Sequence, residues 1–91
     1  MLEEIKKKCY IIIGNNWMSN QRMIAMEECA ELIQAISKYE RYGESNLSEE
    51  IADVLVMIIQ LCLMEGIRKE EIEKIMIQKL DRQLERIKNG Q

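Results

Sequence analysis

Two short acidic clusters mark the 91-residue chain. Glu27-Glu28-x-x-Glu31 is followed, after 18 intervening residues, by Glu50-x-x-Asp53. Residues three apart share one side of a helix, so Glu28 and Glu31 point together, as do Glu50 and Asp53. The 3.6-residue period puts Ile24, Glu28, Glu31 and Ala35 on one stripe, with Leu32 beside it. Glu50 and Asp53 run on into Met57, Leu61 and Met64. Both acidic pairs therefore sit at the edge of faces that should be buried. Carboxylates converging in a partly apolar place repel one another and need neutralising. Mg²⁺ suits the task, because it takes oxygen ligands, keeps waters and binds phosphates. Mn²⁺ suits an all-oxygen site as well. Either pair alone would more often be a solvated helix face. The weight comes from two pairs, both beside apolar faces, on consecutive helices.

Four helices must position these groups. The first is expected over about Leu2 to Ile13, with Lys6 to Lys8 on its outer face and Gly14-Asn15-Asn16 breaking it. Its β-branched run Ile11-Ile12-Ile13 leaves a short strand as the alternative. The second is expected from Ser19, as a cap, to Tyr42, ended by Gly43. The third starts near Leu47, where Asn46 and Glu49 have capping-box spacing, and Gly66 suits its C′ position. The fourth runs from about Arg68 to Lys88, with Glu70 and Glu71 favouring its N-terminal dipole. A short loop between the second and third helices makes them antiparallel neighbours, so the two acidic pairs can face each other.

The third helix is apolar on nearly every face from Val54 to Met64, interrupted by Gln60. Two explanations stand: it is the central helix of the chain's own core, or another subunit buries one flank. A chain of this size builds only a thin core.

Composition closes other routes. Lys and Arg number 13 against 16 Asp and Glu, a net charge of −3, which argues against a nucleic-acid binder that neutralises phosphates. There is no His, so Ser-His-Asp and Cys-His triads, His-containing zinc sites and Glu-x-x-His di-iron bundles are excluded. Cys9, Cys29 and Cys62 are odd in number and lack CxxC spacing, which suggests a reducing compartment and small core residues. No signal peptide is visible, and the longest nearly apolar run, residues 54–64, is too short to span a membrane. A cytoplasmic single-domain protein without a membrane partner is expected.

A second chemical feature lies near the C-terminus. Ile75, Lys79, Arg82 and Arg86 form one stripe beside the apolar face of Ile72, Met76, Leu80, Leu84 and Ile87. Such a cationic row can bind a polyphosphate, with Arg offering a fork and Lys a point charge. The alternative is a solvated edge paired with Asp81 and Glu85. Trp17, Tyr10, Tyr39 and Tyr42 could stack on a base, though such residues more often anchor a core or interface.

The two acidic motifs together resemble the MazG-like all-α nucleotide pyrophosphohydrolases. Glu27-Glu28-Cys29-Ala30-Glu31-Leu32 looks like the first family motif, and Glu49-Glu50-Ile51-Ala52-Asp53-Val54-Leu55 like the second. Trp17 and Gln21 resemble a weaker upstream pattern, and Lys79-Leu80-Asp81-Arg82 resembles the C-terminal Lys-x-x-Arg segment. The resemblance spans about Trp17 to Arg86. It implies Glu28, Glu31, Glu50 and Asp53 as Mg²⁺ ligands, and Glu27 as an outer carboxylate or water-positioning group. Glu27 or Glu28 would activate water. Lys79 and Arg82, with Lys38 as a further candidate, would hold phosphates. The position two before Lys79 is Ile77, where many members have Asn, and the position four after Asp53 is Met57, so no base-binding residue transfers. The implied reaction converts a (deoxy)nucleoside triphosphate to the monophosphate and pyrophosphate, as nucleotide-pool housekeeping. The implied assembly is a homodimer or homotetramer with an all-α, four-helix bundle-like fold. A metal- and nucleotide-binding relative without turnover, and a helical oligomerisation module, are the rivals.

Overall fold

A computed structural model describes residues 2–15 and 18–90 of the chain. Trp17 and Asn16 lie outside the described residues. The chain folds as α1 (Leu2–Asn15), α2 (Met18–Tyr42), α3 (Leu47–Glu65) and α4 (Lys69–Lys88). The described residues contain no strand, as the all-α reading expects. No helix among them is long and apolar enough to cross a membrane.

The first departure from expectation is in α1. The helix runs through Gly14 instead of stopping before it. A glycine inside a helix costs about 1 kcal/mol, too little to stop this helix before it. Asn15 follows, and its Nδ2 donates to the Ile11 carbonyl at 2.8 Å. The strand alternative for Ile11 to Ile13 falls with it.

Hydrogen bonds close the turn from α2 into α3. Gly43 sits at φ +78°, and its N–H donates to the Tyr39 carbonyl at 2.8 Å. Ser45 Oγ donates to the Ala35 carbonyl at 2.9 Å, pinning the loop against α2. Asn46 precedes α3 but makes no side-chain cap, so the expected capping box with Glu49 does not form. Its Nδ2 donates instead to Glu50 Oε1 at 2.8 Å. The amide thus serves the carboxylate through its nitrogen, as a donor, whereas a cap would use the Asn46 Oδ1 as an acceptor. At the far end Gly66 adopts φ +68°, and its N–H and that of Ile67 both return to the Cys62 carbonyl, the glycine-based helix stop expected there. Arg22 Nε donates to Glu65 Oε1 at 2.7 Å, tying the start of α2 to the end of α3.

α2 packs along α3, and α1 packs against α3 from another side. The buried apolar residues are Cys9, Ala25, Ala35, Val54 and Met57, and the polar Gln21 and Gln60 are buried with them. The other two cysteines do not share the core role expected of them: Cys29 is exposed and Cys62 is half-buried. The third helix is not buried all round. Ile51, Leu55, Val56 and Ile58 stay exposed in the single chain.

α4 departs further. None of its residues is buried, and Met76, Leu80, Leu84 and Ile87 all face solvent. Arg68, just before it, is extended at ψ 146°, the ordinary conformation of a residue that precedes a helix. The fold is thus four helices without a strand among the described residues, consistent with the expected all-α bundle-like fold, with α2 and α1 packed on α3 and α4 burying none of its residues.

Gly14 and Gly66 separate backbone need from empty space. At both, an added Cβ would meet nothing within 4 Å, but of the two only Gly66 has positive φ. Gly66→Ala is expected to destabilise the chain by about 1–2 kcal/mol, the cost of a left-handed L-residue. Gly14→Ala is expected to stabilise it by about 0.5–1 kcal/mol. Urea unfolding of the two variants checks the opposite signs.

Candidate metal centre

Small residues bring the acidic pairs together. Ala25 and Ala35 bracket Glu28 and Glu31 on α2, and both are buried against α3, Ala35 with 3% of its surface left exposed. Side chains this short let the two helix backbones approach closely. The antiparallel register then sets Glu28 and Glu31 opposite Glu50. Carboxylate oxygens of the three lie within 4.8 Å of one another. Glu28 and Glu50 are half-buried and Glu31 is exposed, so the cluster opens to solvent on one side.

Asp53 stands outside the 4.8 Å group but close enough to act on it. The Glu28 carboxyl is pushed above its ordinary value by partial burial first, then by Glu31, Asp53 and Glu50. Glu50 is pushed up by partial burial, then by Glu31 and Asp53, while the hydrogen bond from Asn46 pulls it down. Burial and like charges thus act in the same direction at both sites. Two of these oxygens, Glu28 Oε2 and Glu50 Oε2, are shut from solvent and have no hydrogen-bond partner. Buried, unpartnered carboxylate oxygens a few ångströms apart fit a hard divalent cation, which would satisfy the orphaned acceptors and cancel the repulsion.

The remaining candidates lie elsewhere. Glu27 is exposed on α2 and outside the 4.8 Å group, and Glu49 is exposed on α3. Lys38 is exposed two turns beyond Glu31. Lys79 and Arg82 are exposed on α4, and among the described residues no ion pair links them to the cluster. A single chain therefore assembles the acidic half of the expected site and leaves the cationic half apart. Two features had no sequence signal of their own. Asn46 reads as a helix cap and serves as the Glu50 partner. Gln60 reads as a polar interruption and is buried at 3% exposure with its Oε1 unpartnered.

The model of the MazG nucleotide pyrophosphohydrolase domain matches residues 18–87, which hold α2, α3 and all but the end of α4. No curated protein and no solved structure matches the chain.

The electrostatics predict a particular pH response. A carboxyl with a raised folded pKa keeps its proton at a pH where the unfolded chain has lost it. Stability is therefore fully present below the ordinary carboxylate range and falls as pH climbs through the raised values. The metal-free protein should lose Tm across that window. Glu50→Gln should flatten the fall and raise the metal-free Tm at neutral pH. Mg²⁺ should raise the wild-type Tm, since it binds the folded state, and should do little for the variant. Thermal melts with Mg²⁺ and with EDTA from acid to neutral pH test this. A variant less stable than the wild type at neutral pH, with no Mg²⁺ response in either, would reduce the cluster to ordinary solvated acids.

Proposed function

The chain belongs to the MazG nucleotide pyrophosphohydrolase family, and from that premise we propose that it hydrolyses a (deoxy)nucleoside triphosphate to the monophosphate and pyrophosphate in a Mg²⁺-dependent reaction. The observation that carries the reading is the convergence of Glu28, Glu31 and Glu50 within 4.8 Å, with two buried oxygens left without partners. The family generally uses a divalent metal, and an all-carboxylate donor set suits Mg²⁺ or Mn²⁺. Glu28, Glu31, Glu50 and Asp53 are the proposed ligands. Bound there, the metal neutralises phosphate charge and stabilises the charge that develops as the anhydride breaks.

The residues of the chain do the rest. Glu27, exposed beside the cluster, or Glu28 within it, orients the attacking water and accepts its proton. The water oxygen joins one of the two phosphorus atoms of the α–β anhydride, the bond from that phosphorus to the bridging oxygen breaks, and the other phosphate group leaves with the electron pair of that bond. Lys79 and Arg82, with Lys38, hold the phosphates as point charges and forks. Asn46, through its bond to Glu50, fixes that carboxylate's rotamer. The proposed setting is the cytoplasm, where such an enzyme removes surplus or non-standard nucleotides. The proposed assembly is a homodimer or homotetramer, without nucleic-acid or membrane partners.

One observation favours a second reading, nucleotide binding without turnover: Lys79 and Arg82 are apart from the cluster in a single chain. A product assay separates the two. The protein is incubated with the common (d)NTPs and several modified ones, with Mg²⁺ or with EDTA, and pyrophosphate is scored apart from orthophosphate. Equal amounts of pyrophosphate and monophosphate are expected with Mg²⁺ and none with EDTA. Glu31→Gln and Asp53→Asn should each lower turnover by at least about 100-fold, beyond the loss typical of outer-shell groups. Orthophosphate as the sole product would replace the proposed reaction. No product, with Mg²⁺ and nucleotide still raising Tm, would establish the binding reading.

A further inference from the structure

Three side-chain oxygens among the described residues are shut from solvent without a hydrogen-bond partner: Glu28 Oε2, Glu50 Oε2 and Gln60 Oε1. All three belong to the α2–α3 hairpin. A divalent cation answers the two carboxylates. It leaves the third, which belongs to a neutral amide two turns further along α3. Gln60 follows Asp53 by seven residues, on the same side of the helix and about 10 Å along it.

The facing helix carries a matching group. Gln21 precedes Glu28 by seven residues, again on the same side. The register of the hairpin is held at three points: Ser45 is bonded to Ala35, Glu31 meets Glu50, and Arg22 is bonded to Glu65. Ten residues back from Glu31 lies Gln21, and ten residues on from Glu50 lies Gln60. The two amides therefore stand at one level of the antiparallel pair, and both are 3% exposed. The seam is polar at two levels, with acids near the loop and amides toward the open end. Ala25 and Met57, both buried, lie between them.

Buried amides that serve only packing are bonded to each other or to the backbone. Gln60 Oε1 takes no bond from either. An unpaired buried acceptor destabilises a fold, and an apolar side chain would fill the position without that cost. A carboxamide holds a donor beside an acceptor, and its complement is an edge with an acceptor beside a donor, the pattern that a nucleobase presents.

We infer that Gln21 and Gln60 read the base of the substrate nucleotide, and that this base is a pyrimidine. Gln60 accepts from a base N–H through Oε1 and donates through Nε2 to the acceptor beside it. Gln21 donates to the carbonyl at the far side of the same edge. Cytosine and uracil both present such an edge. The single ring follows from width, because Ala25 holds the two helices close. Met57 is unbranched and adaptable, so its thioether swings to lie against the ring face. A nucleotide with its phosphates on a metal at the acids spans the two levels, with the ribose beside Ala25 and the base at the amides. The phosphate end rests on the hydrolase reading above. The base end does not require the anhydride to break.

Calorimetric titration tests the inference with the full chain, Mg²⁺ and the α,β-imido triphosphates of deoxycytidine, deoxyuridine, deoxyadenosine and deoxyguanosine. These analogues resist cleavage between the α and β phosphates. The wild type should bind both pyrimidine analogues at least about tenfold tighter than either purine, because a site built to hydrogen-bond one edge rejects others. Gln60→Leu should lose pyrimidine affinity until all four bind alike. It should keep a Tm at or above the wild-type value and the wild-type rise in Tm with Mg²⁺ alone. Gln21→Leu should show a smaller loss of the same kind, and it carries the test if Gln60→Leu does not fold. Purines bound as tightly as pyrimidines, or a folded leucine variant that keeps the wild-type preference, overturns the inference. So does a Gln60→Leu chain that loses its Mg²⁺ response together with its nucleotide affinity, since the residue then acts through the metal. A wild type that prefers the pyrimidine analogues but releases no pyrophosphate from natural dNTPs defeats the hydrolase reading and supports the base reading. Binding of none of the analogues overturns both.

Discussion

Everything in the site follows from packing two helices along a stripe that is apolar except for its acids. Ala25, Ala35, Val54 and Met57 draw α2 and α3 together, because each gains by leaving water. The same register forces Glu28, Glu31 and Glu50 into one small volume. Hydrophobic burial and carboxylate repulsion oppose each other at the same seam. The folded hairpin therefore suits a divalent cation: the helices hold the oxygens in place, and a cation there would relieve the repulsion that placement creates. A seam of ordinary Leu and Ile would pack better and bind nothing.

The small size of the buried residues serves both ends of this balance. The largest apolar side chain in the core is Met57, and no side chain is completely sequestered among the described residues. Close helix approach needs such residues, but they contribute little buried area each. The hairpin is accordingly tied at both ends by other means. Ser45 and Gly43 secure the loop, and Arg22 with Glu65 joins the open end. The latter pair is half-exposed and contributes at most about 1 kcal/mol. A chain with so thin a core depends on further burial for its stability, and its apolar surface lies on the elements that the core leaves uncovered.

Much of this is legible in the sequence, and the failures have physical causes. The extent of α3 is readable because Gly66 supplies a left-handed stop that other residues resist. The meeting of Glu28, Glu31 and Glu50 is readable because helical period and a short loop determine it. The end of α1 is not, since one glycine is a weak breaker and the helix includes Gly14. The role of Asn46 is not readable either: cap spacing shows that its Oδ1 could accept from backbone N–H groups, and it is silent on the Nδ2 that donates to the Glu50 carboxylate. The burial of α3 and α4 is not readable at all from one chain. An amphipathic pattern shows that a face must be covered, and it is silent on whose atoms cover it.

That silence is itself informative when charge is added. In α4 the apolar face and the cationic stripe share an edge, so whatever surface covers Met76, Leu80 and Leu84 also receives Lys79 and Arg82. In the proposed site, carboxylates, cation, phosphates and basic side chains would form layers that alternate in sign. Each layer lowers the cost of the next, and no layer is stable in that volume by itself. In the proposed reaction, the acids that weaken the hairpin would be the groups that favour a metal-bound, multiply charged substrate.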